Sequence, residues 1–112
     1  MKKQYRLLKN QDFKSVLDNH RGVSRETFKI FYKVNELGHC RVGVSVSSKI
    51  GNSVVRHKIK RQVVSMLDKC VNIDNQIDIV VIIKKNYLDF TYKENYDVLE
   101  KSINHILKKE QQ

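Results

Sequence analysis

The sequence predicts an α+β fold, a sandwich in which helices cover a sheet in the order α-β-β-α-β-α. Three observations lead to this prediction. Apolar and polar residues alternate in two central segments, which indicates strands. Apolar residues recur every three to four positions in three other segments, which indicates amphipathic helices. A short run of Ile and Val at residues 76–83 shows little alternation, which is typical of a strand covered on both sides.

The N-terminal half is expected to contribute one helix and two strands. Asn10 is a suitable N-cap for a helix that ends near residues 20–22, with Phe13, Val16 and Leu17 on one side. Residues 27–34 and 39–47 alternate with a period of two around a turn at 35–38. We therefore expect an antiparallel hairpin. Its apolar face would carry Phe28, Ile30, Tyr32, Val34, Val42, Val44 and Val46.

The opposite face of this hairpin is basic, small and hydroxylated. It could be a solvated sheet face, or a shallow groove for a flexible anionic strand in which Phe31 offers a ring for a base to stack on. The residues predicted on this face are Lys29, Phe31, Lys33, Arg41, Gly43, Ser45 and Ser47.

The C-terminal half is expected to place two helices around the buried strand. After a loop at residues 49–53, a helix is predicted over about 53–70, and a connector at 86–90 leads to the last helix at 94–109. The sequence has no proline, low-complexity tract or repeat, so residues 1–112 are expected to form a single domain. The inward side of the last helix is predicted to carry Tyr96, Leu99, Ile103, Ile106 and Leu107.

The chain is strongly basic for its size. Its 112 residues include 22 Lys and Arg against 12 Asp and Glu, a formal net charge of +10. Such an excess is usually neutralised by a polyanion, and nucleic acid is the first candidate, ahead of an anionic membrane surface or an acidic protein. No apolar run approaches the roughly 20 residues that span a bilayer, and no apolar signal core follows the N-terminus. We therefore expect a cytoplasmic protein without a membrane partner.

The two cysteines predict a reducing environment. Cys40 and Cys70 lie 30 residues apart, with no CxxC pair and no His at the spacing of metal ligands. Reduced, largely buried thiols are the favoured interpretation. A disulfide and a metal site are the alternatives.

The most informative segment is residues 56–61, at the start of the second predicted helix. It holds four cations and one His, and no acid follows before Asp68. Like charges at helical spacing weaken a helix by a few tenths of a kcal/mol per pair, a cost that contact with phosphates would offset. The alternative is a solvated charged face. On the other side of this helix the predicted apolar stripe is Ile59, Val63, Met66, Leu67 and Cys70.

Residues 41–61 resemble the signature of the bacterial ribonuclease P protein subunit. That family's pattern is R-x-G-x-S-V-S-K-K-x-G-x-A-V-x-R-N-R-x-K-R, and this chain has RVGVSVSSKIGNSVVRHKIKR. Residues 6–13, RLLKNQDF, are similar to the family's opening, R-L-x-x-x-x-D-F. The chain departs from the pattern at His57, where Asn is preferred, at Lys58, where Arg is preferred, and at Ser48 and Ser53. Val64 stands where another Arg is frequent.

The resemblance implies a ribosomal protein S5 domain 2-like sandwich with a left-handed β-α-β crossover. It implies a holoenzyme subunit that binds the catalytic RNA subunit, holds the 5′ leader of precursor tRNA and assists its endonucleolytic removal. Catalysis and Mg²⁺ would belong to the RNA subunit, so no catalytic residue, metal ligand, bound cofactor or obligate protein partner is expected for this chain. The expected RNA-binding residues, hereafter the basic surface, are Lys49, Arg56, His57, Lys58, Lys60 and Arg61. The expected leader-binding residues, hereafter the sheet groove, are Phe13, Leu17, Lys29, Phe31 and Ser45.

Three other functions remain alternatives from the sequence. Another small RNA-binding protein, such as a ribosomal protein, could use the same basic helix. A protein nuclease could use His57 or His105, although no carboxylate pair or nucleophile–base pair is evident. A module that binds an acidic protein would also be basic.

Overall fold

A computed structural model describes residues 1–110 of the chain. A four-stranded mixed sheet is covered by one helix on one face and two on the other, so the α+β prediction is confirmed. The helices are α1 (Asn10–Asp18), α2 (Ser53–Cys70) and α3 (Tyr92–Glu110). The strands are β1 (Gly22–Ser24), β2 (Phe28–Val34), β3 (Arg41–Val46) and β4 (Ile77–Ile83). Two 3₁₀ turns, Lys3–Tyr5 and Lys85–Asp89, complete the elements.

The predicted hairpin between the two central strands is wrong. The strand order is β1-β2-β4-β3, so β4 lies between β2 and β3. It pairs antiparallel with β2 and parallel with β3. Strand β4 is the most apolar strand, and the internal position suits it because helices cover both faces of the sheet there. The β3–α2–β4 segment is therefore the β-α-β crossover that the resemblance implies. The left-handedness of this crossover stays a prediction.

The main core lies between the sheet and helices α2 and α3. The apolar stripe of α2 is buried at Ile59, Val63, Met66 and Leu67, and Cys70 packs at its edge. Helix α3 begins with a reciprocal cap, in which Thr91 and Glu94 each accept a hydrogen bond from the other's backbone N–H, at 3.2 Å and 2.9 Å. On α3, Leu99, Ile103 and Ile106 are buried, while Tyr96 and Leu107 are half-buried against the core, as predicted.

A smaller core lies on the other face of the sheet, under α1. Val16 is fully buried against Val80 and Leu7, and Phe13, Leu17, Phe31 and Ile82 pack around them.

Local features differ from the predictions at several places. Asn10 is the first residue of α1 rather than its cap, and Lys9 precedes it without a capping side chain. Val34, the last residue of β2, is 53% exposed rather than buried on the apolar face. Strand β1 was not expected, since its three residues are too short for a visible pattern. The connector before α3 contains a 3₁₀ turn.

Candidate nucleic-acid interface

Helix α2 displays the basic surface on the side away from the core. The side chain of Asn52 accepts a hydrogen bond from the N–H of Val55 at 3.0 Å, which caps the helix and fixes where it begins. His57, Lys58, Lys60 and Arg61 are exposed and Arg56 is half-buried. Within residues 1–110, none of the ion pairs involves the four Lys and Arg side chains of this set. Their charges are therefore available to an anion.

A cleft of about 190 Å³ separates the start of α2 from strand β3. Arg56 lies in this cleft, and its Nε is buried without a hydrogen-bond partner among the described residues. A buried guanidinium N–H without a partner is costly unless a ligand or water accepts a hydrogen bond from it. Val44 and Val46 form the β3 wall, and the other lining residues are Ser53, Arg56, His57 and Lys60.

A second cleft of about 440 Å³ runs along the other flank of α2. His57 and Lys60 line both clefts and thus form the ridge between them. The remaining lining residues are Met1, Arg6, Arg61, Val64, Ser65 and Asp68.

Two members of the basic surface lie apart from these clefts. Lys49 is exposed in the loop that leads into α2, where its N–H donates to the Oγ of Ser47 at 3.2 Å. Lys58 is exposed on α2, but it does not line either cleft. The structure therefore gathers Arg56, His57, Lys60 and Arg61 more closely than the other two.

The sheet groove forms where α1 crosses the open face of the sheet. Because residues paired across neighbouring strands share a face, Phe31 lies in one row with Val80 and Gly43. The next row holds Lys29, Ile82 and Ser45. The predicted grouping of Lys29, Phe31 and Ser45 on one face is thus correct, although β4 separates them.

The side chains of the sheet groove combine apolar walls with an exposed cation and hydroxyl. Phe13, Leu17 and Phe31 are half-buried beside the small core, whereas Lys29 and Ser45 are exposed. The Nζ of Lys29 lies 5.2 Å from the centroid of the Phe31 ring. The aromatic rings therefore support the fold and also remain partly open to a ligand.

Gly43 makes room for Phe13 in this arrangement. A Cβ at position 43 would lie only 2.5 Å from the Cζ of Phe13. The ring of Phe13 thus stands with its edge against the backbone of β3.

A third cleft joins the sheet groove to the basic surface. Its volume is about 400 Å³. It shares Phe13 and Ser45 with the groove and Lys60 with the basic surface, so the two predicted regions form one continuous surface. Its other lining residues are Arg6, Leu7, Leu8, Asn10 and Val44.

Arg6 is a candidate residue that the sequence reasoning did not select. It lines both the second and the third clefts. A bridge between Arg6 and Val42 places it beside β3. Its sequence neighbourhood gave no sign of this long-range pairing, and only its place in the RLLKNQDF motif could have indicated it.

Two predicted basic residues on the sheet face are engaged within the protein. Arg41 donates from Nε and Nη2 to the carboxylate of Asp78, at 2.9 Å and 2.7 Å. The hydrogen bond with Asp78 raises the pKa of Arg41 above its ordinary value. Lys33 donates from Nζ to the Oγ of Ser15 at 2.8 Å. The carboxylates around Arg41 therefore make this sheet face less cationic than the sequence pattern indicated, while Lys33 keeps its charge beside a neutral hydroxyl.

The remaining reactive side chains are dispersed. His57 lies on α2 and His105 on α3, both exposed. Cys40 and Cys70 are unpaired, and burial raises the pKa of both thiols, that of Cys70 to about 12. Among residues 1–110, no three His, Cys, Asp or Glu side chains are grouped as metal ligands would be. The described helices include none with the length and apolarity to span a bilayer.

Comparison with known proteins agrees with this geometry. Residues 1–110 match the family model described as Ribonuclease P. The chain is 39% identical over 108 residues to the ribonuclease P protein component of Streptococcus agalactiae serotype III, covering 96% of this chain and 95% of that one. It is 38% identical over 112 residues to the corresponding Bacillus mycoides protein, covering 97% and 93%.

The fold is shared with solved structures. A mutant of the Staphylococcus aureus RNase P protein superposes with a TM-score of 0.76 at 32% identity, covering 97% of this chain and 90% of that one. The match to the family model spans nearly the whole chain, and the similar proteins are covered almost end to end. The chain therefore belongs to the ribonuclease P protein component family.

Proposed function

We propose that this chain binds the RNA subunit of ribonuclease P through its basic surface and the 5′ leader of precursor tRNA in its sheet groove. By holding both RNAs, it would assist endonucleolytic removal of the leader and so produce the mature tRNA 5′ end. The chemical step and its Mg²⁺ would belong to the RNA subunit. We place the complex in the cytoplasm, which the unpaired thiols of Cys40 and Cys70 would suit.

The observation that carries this proposal is the continuity of the two surfaces. The cleft lined by Phe13, Ser45 and Lys60 connects them, so a single strand could pass from the groove to the helix without leaving the protein. The cations along α2 are not neutralised by ion pairs in residues 1–110. Phosphate contacts supply most of the affinity and little sequence information, while stacking on aromatic rings tolerates most bases. A subunit that serves many leaders needs both properties.

The test uses Phe31→Ala in the holoenzyme assembled with a bacterial ribonuclease P RNA. Its ring is half-buried in the groove, where stacking on an aromatic contributes about 1–3 kcal/mol per base. We expect the variant to bind precursor tRNA with a leader at least about fivefold more weakly, since about 1.4 kcal/mol corresponds to tenfold. Binding of mature tRNA should barely change.

Phe90→Ala is the matched control. Phe90 is also half-buried, but it lies in the connector before α3 rather than in the sheet groove. It should leave the ratio of the two affinities unchanged. Equal losses for both tRNAs with Phe31→Ala would contradict the assignment of the leader to this groove.

A further inference from the structure

The sheet face that carries the groove contains a buried carboxylate. Asp78 lies in the central strand β4, and its side chain is only 6% exposed. Its carboxylate receives two hydrogen bonds from Arg41, and the Nδ2 of Asn35 donates to Oδ1 at 2.8 Å. A buried carboxylate is tolerated when it is paired and hydrogen-bonded in this way. The contacts fix the orientation of the Arg41 guanidinium.

The third nitrogen of Arg41 connects the sheet to α1. Its Nη1 lies 3.5 Å from Oδ2 of Asp12, in the first turn of the helix. Both side chains are about one quarter exposed, at 24% and 26%. Among the described ion pairs, this is the one that joins α1 to the sheet.

Helix α1 depends on tertiary contacts for its position, which also include the buried Val16 and the hydrogen bond from Lys33 to Ser15. It has only nine residues and no side-chain N-cap, and isolated helices of this length are marginal in water. Asp12 directly precedes Phe13, whose ring lies against Gly43 at the groove wall. A contact that holds Asp12 therefore also sets the place of Phe13.

The charge of Arg41 is not free to attract RNA. The guanidinium stands between two carboxylates, so the three groups together carry a formal charge of −1. Arg41 must therefore affect RNA binding by positioning other groups rather than by its own charge.

We propose that Arg41 is a positioning residue for the sheet groove. Its planar fork grips Asp78 and presents the remaining nitrogen to Asp12, which fixes α1 over the sheet with Phe13 at the wall of the groove. This inference rests on the proposed function, because its readout is leader binding.

The test compares Asp12→Ala with Asp18→Ala in the assembled holoenzyme. Both variants remove one negative charge from α1, but Asp18 is 64% exposed and lies 3.8 Å from Lys14 of the same helix. If only the charge mattered, either change should tighten binding of leader-carrying precursor tRNA. If Arg41 positions α1 through Asp12, Asp12→Ala should weaken that binding. We expect the preference for leader-carrying over mature tRNA to fall roughly threefold to tenfold with Asp12→Ala, which lies in the lower part of the range of couplings between contacting residues. It should be unchanged or larger with Asp18→Ala.

Two further variants separate positioning from a general loss of structure. Asp12→Glu retains the carboxylate and should restore most of the preference. Arg41→Lys keeps the charge but loses the fork, so it should resemble Asp12→Ala, and the two losses should not add in the double variant. Affinity for the RNA subunit should stay the same in every variant, since the basic surface lies on α2 and the loop before it rather than on α1 or at Arg41.

The outcomes distinguish the two proposals. A wild-type holoenzyme without any preference for the leader would contradict the proposed function of the groove. A wild-type preference that survives Asp12→Ala at full size would overturn the role of Arg41 alone. Tighter leader binding by Asp12→Ala would do the same, because it would show that charge outweighs position.

Discussion

Gly43→Ala is the smallest change that should close the sheet groove. A Cβ at position 43 would lie 2.5 Å, 2.8 Å and 3.1 Å from the Cζ, Cε1 and Cε2 atoms of Phe13. Carbon atoms in contact are ordinarily about 3.5–4.0 Å apart, so the tip of the ring must move by roughly 1 Å. Phe13 is half-buried, and it can yield by turning toward the open side of the groove.

Two opposing effects determine how Gly43→Ala changes the free energy of unfolding. Overpacking typically destabilises a fold by about 1–3 kcal/mol, while replacing glycine within a strand recovers about 0.5–1 kcal/mol of backbone entropy. We expect a net loss of about 1 kcal/mol in the free energy of unfolding. Displacement of the ring should weaken binding of leader-carrying precursor tRNA by at least about fivefold, given about 1–3 kcal/mol per stacked base.

The assay combines urea unfolding with the two tRNA affinities of the holoenzyme. In the background of Phe13→Ala, the alanine at position 43 should no longer destabilise the protein, because the atoms it would strike are gone. Gly38→Ala is the control, since position 38 has a positive φ of 79° and no atom within 4 Å of a new Cβ. It should cost stability without changing the leader preference. A Gly43→Ala protein with unchanged stability and leader binding would refute the close approach of Phe13.

Three further predictions concern the basic surface, the histidines and the thiols. Arg61→Ala should weaken RNA-subunit binding and lower the salt slope of that binding by about one unit, while the protein stays folded. Lys101→Ala on α3 is the control and should change neither the affinity nor the salt slope. An unfolded Arg61→Ala protein, or an unchanged slope, would contradict a phosphate contact. His57→Ala and His105→Ala should leave the single-turnover cleavage rate at saturating protein nearly unchanged, and a large fall would indicate a chemical role. Burial raises the pKa of Cys70 from 9.0 to about 12, so at pH 8 an aromatic disulfide reagent should modify it about a thousandfold more slowly in the folded protein than in urea, as the thiolate fraction requires. Because the pKa of Cys70 is higher in the folded protein, its protonated thiol contributes stability that is complete below pH 9 and is lost between pH 9 and about 12. Equal rates of modification in the folded protein and in urea would refute the burial of this thiol.

Local pattern was enough to predict most elements and their faces. Helix α2 spans residues 53–70 as expected, because Asn52 caps it and the apolar stripe is regular. Phe31 and Ser45 share a face as predicted, although the predicted pairing of their strands is wrong. A two-residue period specifies the face of each residue, and that face is unchanged when β4 is inserted between the strands.

Neighbours distant in sequence could not be predicted. The alternation in residues 27–34 and 39–47 does not state which strand lies beside which, and the short connection favoured a hairpin. The engagement of Arg41 depends on Asp78, which lies 37 positions later. Arg6 lines the cleft between groove and helix, and it lies beside Val42, which is distant in sequence. Each of these features is created by the folded sheet rather than by a local pattern.

The most direct test of the central claim is cleavage of precursor tRNA at low magnesium, with and without this protein. The RNA subunit of a bacterial ribonuclease P supplies the other component, and the protein alone is the essential control. We predict no cleavage by the protein alone, slow cleavage by the RNA alone, and strongly stimulated release of the 5′ leader when both are present. Cleavage by the protein without RNA, or no stimulation by a folded protein that binds the RNA, would contradict the account.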